Sequence, residues 1–520
     1  MTSQELKLAG TYSKYHQSVT VTRISMLVGN SLPEYVFIRT AILFLRLIAP
    51  LSLLYTAYLI IPPIHWSSSD WPRLPRPFEV YALAEAAFFT FIYLPLRIRL
   101  QRDATHPDPP DREERSVLVR RCLRSISNLK PYILKWYLDS PLSEVKRENV
   151  KEFFAWSFMN KRFEEVTDDE SSELDEYTDQ LERALGYELA AGRGEARSLR
   201  GTMDPVPMQH RPLLWYIIVF IVDNYACTLL IIFSFRFYRP FVTNVLTTFP
   251  PRLISLLSFN KSPAQDMTYW YRPHTSKTKL PILYIHGIGI GMYAYVGLLA
   301  QLATSTGKDD SDAGHIGVIA LEIPSISARM CAPALETKQM RRAIKTILDA
   351  HRWDNFVLAG HSYGTAIAAN LLRTDSALSK RVKAAVLMDP ICFLLHLPDV
   401  CYNFANEHML HYFSSQDAMI SHTLARRFFW SEYILWKEDI AGLPMTVTLS
   451  GQDLIVPTRA VWTYLTGEDI ADKDARREDL TFRPQSDAEW TMVRLMSVGL
   501  ASLITQHSLI PRLEGVLLPV

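Results

Sequence analysis

The pentapeptide GHSYG at residues 360–364 constrains the fold of this chain more than any other feature of its sequence. The apolar residues 355–359 precede it and predict a short buried strand, whereas residues 365–372 are rich in Ala and Leu and predict a helix. At such a strand-to-helix turn, Ser362 is expected in a strained conformation with its hydroxyl exposed beyond the sheet. The two flanking glycines are expected because side chains there would clash where the strand and the helix pack closely.

An acid and a histidine follow Ser362 later in the chain. Residues 445–450 predict a strand, and Asp453 lies just past its end, where a carboxylate can orient an imidazole. His507 is the single histidine after Asp453 and is therefore the sole candidate for that imidazole. Asp389 follows another predicted strand and is the alternative acid. Both aspartates also fit a plain turn or a helix cap, and we prefer Asp453 as the orienting acid.

A second glycine-rich turn lies upstream of the serine. Residues 280–285 predict a strand, and the sequence HGIG at residues 286–289 follows it. Together with the serine turn and the later acid and histidine, this pattern resembles the α/β-hydrolase superfamily over about residues 268–520. The resemblance implies an α/β fold with a mostly parallel sheet, a nucleophile elbow and a helical cap.

The same resemblance assigns roles to the residues of the upstream turn. It identifies His286, Gly287 and Gly289 as the HGxG loop of the family. It also implies that the backbone N–H groups of Ile288 and Tyr363 form the oxyanion hole. A plain glycine-rich turn is the alternative, because the G-x-G-x-x-G spacing of a dinucleotide-binding loop is not met.

These residues imply an acyl-transfer mechanism. His507 would take the proton from Ser362 as the hydroxyl attacks an acyl carbonyl, and Asp453 would hold the imidazole tautomer. Serine at the elbow argues against the epoxide- and haloalkane-cleaving branches of the superfamily, which need a carboxylate nucleophile. An insertion at about residues 391–443 is crowded with Phe, Leu and Trp. It occupies the position of the family's cap and predicts a lid that lines a pocket for a hydrophobic acyl or alkyl group.

The N-terminal half predicts membrane attachment. Residues 47–66 carry no charge and are long enough to span a bilayer, and residues 78–96 form a second candidate span. A third apolar stretch, residues 213–235, contains Asp223, and an acid in the middle of a membrane is costly. This stretch is therefore either a membrane span, a hairpin, an interfacial segment or a hydrophobic surface of the catalytic domain. The sequence predicts four regions: an anchoring region at 1–115, a helical region with an acidic helix at 116–212, a hydrophobic segment with a linker at 213–267, and the catalytic domain at 268–520.

The composition limits the classes of partner and cofactor that the chain is expected to bind. The formal net charge of +1 argues against a bulk nucleic-acid partner. The five cysteines are scattered without a CxxC motif, so no disulfide framework is expected. His408 and His411 lie one helical turn apart but lack further ligands, so neither a metal nor a cofactor is expected. The sequence does not indicate an oligomeric state.

The hypothesis from sequence is therefore a membrane-bound serine hydrolase that cleaves an ester or thioester of a hydrophobic or lipid-like substrate. In layout the whole chain resembles membrane-anchored α/β-hydrolases of fungi. The endoplasmic reticulum or another endomembrane is the expected location. An acyltransferase with the same triad, and a catalytically silent scaffold protein on the same fold, are the alternatives.

Overall fold

The computed structural model describes residues 32–61, 73–304, 314–373, 377–451, 453–470, 480–482 and 491–496. The chain divides into two compact units, one up to Leu45 and the other from Arg46 onward. The division falls inside the first helix, α1 (Leu32–Ile60).

A nine-stranded sheet forms the centre of the larger unit. Its strands are β1 (Arg236–Tyr238), β2 (Thr268–Arg272), β3 (Ile282–Ile285), β4 (Val318–Glu322), β5 (Phe356–His361), β6 (Val382–Met388), β7 (Met445–Ser450), β8 (Leu480–Phe482) and β9 (Thr491–Met496). Their order across the sheet is β1-β2-β4-β3-β5-β6-β7-β9-β8. Only β2 and β8 run against the other seven among these described strands. The mostly parallel sheet expected from the sequence is thus confirmed.

The parallel arrangement brings the ends of the central strands together. Strands β3, β5, β6 and β7 are neighbours and point the same way, so their carboxyl ends meet at one edge of the sheet. That edge carries the HGxG loop, the serine turn and the two aspartates considered above.

The helices fall into three groups along the chain. After α1 come α2 (Arg76–Leu100), α3 (Arg112–Ser125), α4 (Leu129–Trp136), α5 (Arg147–Met159) and α6 (Asp168–Leu185). The second group contains the helices that precede the early strands or alternate with them: α7 (Leu213–Ile232), α8 (Val242–Leu246), α9 (Leu253–Leu257), α10 (Val296–Thr304), α11 (Thr337–Ala350) and α12 (Tyr363–Arg373). Between β6 and β7 lie α13 (Asp399–Asn406), α14 (His408–Leu410), α15 (Ala418–Arg426) and α16 (Trp430–Tyr433), and α17 (Thr458–Thr466) follows β7.

The sheet is buried on both faces. Along β3, Leu283 and Ile285 join one hydrophobic cluster, whereas Ile282 and Tyr284 join a second. This alternation follows from the two-residue period of a strand, and the nearly continuous apolar runs of the central strands are typical of a sheet covered on both sides. The first cluster also contains buried residues of α3 to α6, so these N-terminal helices pack on the same core as the sheet.

The acidic helix α6 is less exposed than its sequence suggests. Its apolar residues Leu174, Tyr177 and Leu181 are buried, but Glu173 is also buried and pairs with Arg115 at 2.6 Å. Glu182 pairs with Arg147 at 2.5 Å. The helix begins at Asp168, and the side chain of Thr167 caps its N-terminus. Part of its charge therefore holds α6 against α3 and α5 instead of facing solvent.

Three helices among the described residues are long and apolar enough to cross a bilayer: α1, α2 and α7. The first begins at Leu32, well before the predicted start at residue 47, and it continues through Pro50. The acids within these segments have partners. Glu79 accepts a hydrogen bond from the Tyr55 hydroxyl at 2.8 Å, and Glu85 lies 2.7 Å from His210 Nε2.

Candidate active site

Ser362 occupies the turn between β5 and α12. Its φ angle is +49°, in the left-handed region that residues with a side chain rarely adopt. Such a conformation costs about 1–3 kcal/mol and persists only where the surroundings enforce it. The Ser362 N–H donates to the Met388 carbonyl oxygen at 2.9 Å, which ties the turn to the end of β6. The strained strand–turn–helix geometry predicted from the pentapeptide is therefore present.

Close packing explains the glycines around the serine. A Cβ atom at residue 364 would lie 2.2 Å from the carbonyl oxygen of Ile285 in β3. A Cβ atom at Gly287 would lie 2.9 Å from Cβ of Ser362. The backbone of the HGxG loop thus runs directly beside the serine, at a distance that only glycine allows.

His286 fixes the HGxG loop from within the core. Its Nε2 accepts the Ile323 N–H at 2.9 Å, and its Nδ1 donates to the Gly287 carbonyl oxygen at 2.7 Å. The ring is fully buried, and this burial lowers its pKa. A neutral imidazole with the proton on Nδ1 satisfies both contacts, so His286 acts as a structural link between this loop and the end of β4.

A hydroxyl connects the HGxG loop to the residue before the serine. Tyr295 Oη accepts the Gly287 N–H at 3.0 Å and lies 2.7 Å from Nδ1 of His361. Because this oxygen already accepts one hydrogen bond, its own proton is available to His361 Nδ1, which leaves the histidine proton on Nε2. Burial, assisted by the nearby His286, lowers the pKa of His361 to about 3, so the ring is neutral near pH 7.

Asp389 lies at the end of β6 with both carboxyl oxygens engaged. Oδ1 accepts the Ser450 N–H at 2.6 Å, and Oδ2 accepts the Ser450 hydroxyl at 2.8 Å. Oδ2 also lies 3.9 Å from Nε2 of His361. Burial and the charge of Asp453 raise the pKa of Asp389 to about 8. A carboxyl group that holds its proton at neutral pH is a poor partner for an imidazolium ion.

Asp453 lies just after β7 and is only half-buried. Its Oδ1 accepts two backbone N–H groups, from Ile455 at 2.7 Å and from Val456 at 2.8 Å. These two bonds fix the carboxylate at the start of the loop that leads into α17. Burial raises the pKa of this group too, while the two N–H donors oppose that shift.

The remaining predicted site residues are His507 and the residues of the predicted oxyanion hole and HGxG loop. His507 lies outside the described residues, so its place in the site stays a prediction. Among the hydrogen bonds between described residues, neither the Ile288 N–H nor the Tyr363 N–H has an acceptor. Tyr363 is the first residue of α12, and the first N–H groups of a helix have no partner within the helix. The Gly289 N–H, by contrast, donates to the Ile326 carbonyl oxygen at 3.1 Å.

The insertion between β6 and β7 contacts the serine turn. The ring of Phe428 stacks on Tyr433 with centroids 4.6 Å apart, and it lies 5.8 Å from the ring of Tyr363. Asn370 of α12 donates to the Glu432 carbonyl oxygen at 2.8 Å. Helix α16 and the residues just before it therefore pack on the helix that begins next to Ser362, as part of a cap would.

A cavity of about 120 Å³ lies between α8 and the loop that follows β4. Its lining includes Val245, Arg252 and Glu322, and it contains none of the predicted site residues. Within the described part of the chain, no group of three His, Cys, Asp or Glu side chains is placed to hold a metal ion.

Comparison with known proteins agrees with this geometry. Residues 281–470 match the family described as alpha/beta hydrolase fold. This region therefore has the α/β-hydrolase fold. A comparison with the curated proteins found no match.

Several solved structures are similar at low identity. A serine hydrolase from the polyaromatic hydrocarbon-degrading bacterium Cycloclasticus zankles is 16% identical, with 39% of this chain and 83% of that chain covered and a TM-score of 0.27. A bacterial membrane phospholipase A is 11% identical, with 59% and 92% covered and a TM-score of 0.36. Naproxen esterase from Bacillus subtilis is 14% identical, with 48% and 87% covered and a TM-score of 0.32.

Sequence reasoning missed the network behind the serine. His361 stands within the pentapeptide, and a histidine at the end of an apolar strand was a signal that it has a buried partner. Tyr295 gave no such signal, because a tyrosine several residues after a glycine-rich loop is ordinary. The Asp389–Ser450 contact was equally hidden, since it joins residues far apart in sequence that only strand pairing brings together.

Proposed function

We propose that this chain is a membrane-bound serine hydrolase that cleaves an ester or thioester of a hydrophobic or lipid-like substrate. The observation that carries the proposal is the strained turn at Ser362. Ser362 adopts this left-handed conformation at the carboxyl edge of the sheet, where the HGxG loop and the strand-end aspartates meet, and a nucleophile elbow has the same strained strand-to-helix geometry. Stored backbone strain of this kind is typical of nucleophiles in catalytic sites.

The proposed reaction is a two-step acyl transfer. His507 takes the proton of the Ser362 hydroxyl while Oγ forms a bond to the acyl carbonyl carbon, and the carbonyl oxygen becomes an oxyanion. The Ile288 and Tyr363 N–H groups, which have no acceptor among the described residues, are available to donate to it. The intermediate then expels the alcohol or thiol, which receives the proton from His507. Water attacks the acyl-enzyme in the same way and releases the acid.

Asp453 is the proposed orienting acid. Both oxygens of Asp389 are engaged by Ser450, and its raised pKa leaves it protonated near pH 7. Asp453 is more exposed, and its two backbone donors both bind Oδ1. These two N–H groups lower the pKa of Asp453 against the effect of burial, and the ionised form of a carboxyl group held this way suits the imidazolium that forms during attack.

Two features support a hydrophobic substrate at a membrane. The cap brings the stacked aromatic rings of Phe428 and Tyr433 next to the serine turn, where they suit an acyl or alkyl chain. The apolar helices α1 and α2 are long enough to hold the chain in a bilayer, where lipid-like substrates concentrate.

The test is hydrolysis of p-nitrophenyl esters of increasing chain length by the full chain in detergent. We expect turnover with a preference for longer acyl chains. Turnover should be lost in Ser362→Ala and His507→Gln but kept in Ser172→Ala, a change at an exposed serine on α6. Asp453→Asn should reduce kcat far more than Asp389→Asn. Stimulation of product formation by an added alcohol would indicate an acyltransferase, and a folded protein without turnover would indicate a scaffold.

A further inference from the structure

Two short helices that follow α7 present an unusual run of exposed apolar side chains. Leu246 of α8 is 74% exposed, Leu257 of α9 is 70% exposed, and Phe259 just beyond α9 is 97% exposed. Leu253 and Leu256 are also exposed. Single exposed apolar residues are normal on a soluble protein, but several adjacent ones mark a surface that another apolar phase covers. These five residues are called the apolar face below.

The apolar face continues onto the outer side of α7. One side of this helix, including Val219 and Leu230, is buried, whereas Ile221 on the other side is 61% exposed. Leu230 joins the cluster that covers the sheet, whereas Val219 joins a separate cluster with residues of α2. Helix α9 packs against α7, so the exposed side of α7 and the apolar face adjoin.

Buried ion pairs show that α7 is part of the catalytic domain. Asp223 in the middle of α7 lies 3.2 Å from Nε of Arg252 and 2.8 Å from Nη2 of Arg329. Arg252 also lies 3.0 Å from Glu322 at the end of β4. A helix held to a sheet through its middle by charged groups has one side available to lipid. It therefore suits the margin of a membrane better than a span surrounded by lipid.

The segment that carries the apolar face is rich in cations. The 42 residues between Asp223 and Asp266 contain Arg236, Arg239 and Lys261 but no Asp or Glu. Their fourth cation, Arg252, is buried and paired with Asp223 and Glu322. Arg239 and Lys261 stand at the two ends of the segment that carries α8 and α9, and their backbones are paired there. Cations beside an apolar surface complement anionic lipid headgroups.

We propose that the apolar face docks the catalytic domain onto a bilayer that contains anionic lipids. The leucines and Phe259 enter the acyl-chain boundary, while Arg236, Arg239 and Lys261 lie at the level of the headgroups. A second copy of this chain fits the surface less well. In a symmetric dimer the face would meet itself and bring these three cations near their own copies, and the exposed Asp266 beside α8 offsets only part of that charge. The proposal deepens the membrane association proposed above and does not depend on the catalytic residues.

The test places a fluorescent reporter on the apolar face of the full chain. Leu257→Cys carries an environment-sensitive nitrobenzoxadiazole label in a Cys331→Ser, Cys401→Ser background, which leaves the three buried cysteines unlabelled. Ser172→Cys, exposed on α6, is the matched control. Both proteins are reconstituted into phosphatidylcholine vesicles with a minor fraction of phosphatidylserine. Each label is then quenched with a nitroxide-bearing lipid and, separately, with aqueous iodide.

We expect the label at residue 257 to emit at shorter wavelength and to be quenched several-fold more by the nitroxide lipid than the label at residue 172. Equal iodide quenching at both positions would overturn the proposal. Protection of the label at residue 257 from both quenchers would also overturn it, because protein and not lipid would then cover the face. Neither readout needs turnover. A failure of the proposed chemistry would appear separately, as absence of ester hydrolysis with an unchanged quenching pattern.

Discussion

Replacement of Gly364 by alanine tests whether the serine turn depends on close packing against β3. The added Cβ would lie 2.2 Å from the Ile285 carbonyl oxygen and 2.9 Å from the His286 carbonyl oxygen. Real Cβ atoms essentially never come closer than 3.0 Å to a neighbour, so the start of α12 and β3 must separate by at least 0.8 Å, the difference between 3.0 and 2.2 Å. Both obstacles are backbone atoms, which cannot rotate aside as a side chain would.

The magnitude follows from two opposing effects. Alanine gains up to about 1 kcal/mol over glycine in a helix because it loses less backbone freedom on folding. Overpacking of a rigid contact costs about 1–3 kcal/mol, and we expect a value at the upper end here. The net expectation is a destabilisation of about 1–2 kcal/mol, together with a loss of activity of about 10²-fold, because a shift of this size misplaces the hydroxyl of Ser362.

Urea denaturation and steady-state ester hydrolysis measure these two effects. Gly201→Ala is the matched control, since a Cβ atom there meets nothing within 4 Å. It should leave both the free energy of unfolding and kcat nearly unchanged. If Gly364→Ala behaved like Gly201→Ala in both assays, the close approach of α12 to β3, and with it the geometry of the turn, would be wrong.

Three further substitutions probe the network around the site. Tyr295→Phe removes the hydroxyl that accepts the Gly287 N–H, so kcat should fall about tenfold with little change in KM; an equal rise in KM would point to a binding role. The pKa of Asp389 is about 8 in the folded protein and 3.8 in the unfolded chain, so between these pH values the folded state binds more protons. The free energy of unfolding should therefore fall as pH rises from 3.8 to 8, by at most ~1.4 kcal/mol per pH unit. Asp389→Asn should flatten that decline in urea titrations at pH 5 and 7.5, and a parallel decline in both proteins would refute the assignment. Asp223→Asn leaves Arg329 without its buried counter-charge and should lower the free energy of unfolding by about 3–5 kcal/mol, whereas a change near zero would show that the pair is solvated.

The sequence predicted the centre of the fold well because the central strands have a simple pattern. Residues 282–285 and 356–361 are continuous apolar runs bounded by glycine-rich turns, and only a strand buried on both faces fits them. The edges of the sheet were harder to predict. Strand β1 has three residues, and it is a strand because β2 pairs with it, a contact far from it in sequence.

The apolar segments show a different limit of sequence reasoning. A hydropathy window detects that residues 213–232 are long and apolar, but it cannot tell which side of the helix meets protein. The partners of Asp223 are Arg252, before α9, and Arg329, after β4. Neither arginine stands at a spacing that would connect it to α7, so an acid that looked costly in a membrane turned out to have two partners.

Within the candidate site, the sequence predicted the positions of residues that a turn or a strand end holds locally, such as Ser362 after β5 and Asp453 after β7, and their catalytic roles stay predictions. It did not identify residues whose role depends on long-range contacts. The choice between Asp389 and Asp453 illustrates this. Their sequence contexts are similar, whereas in the structure Ser450 binds both carboxyl oxygens of Asp389, and the more exposed Asp453 binds the Ile455 and Val456 N–H groups.

The central claim is that the hydroxyl at the strained turn is an activated nucleophile. Reaction of the folded full chain with a fluorophosphonate, followed by peptide mapping with mass spectrometry, tests it most directly. We predict a single adduct on Ser362 that is absent in Ser362→Ala, strongly reduced in His507→Gln and retained in Ser172→Ala. A folded chain that forms no adduct, or one whose adduct persists in Ser362→Ala, would contradict the proposed hydrolase.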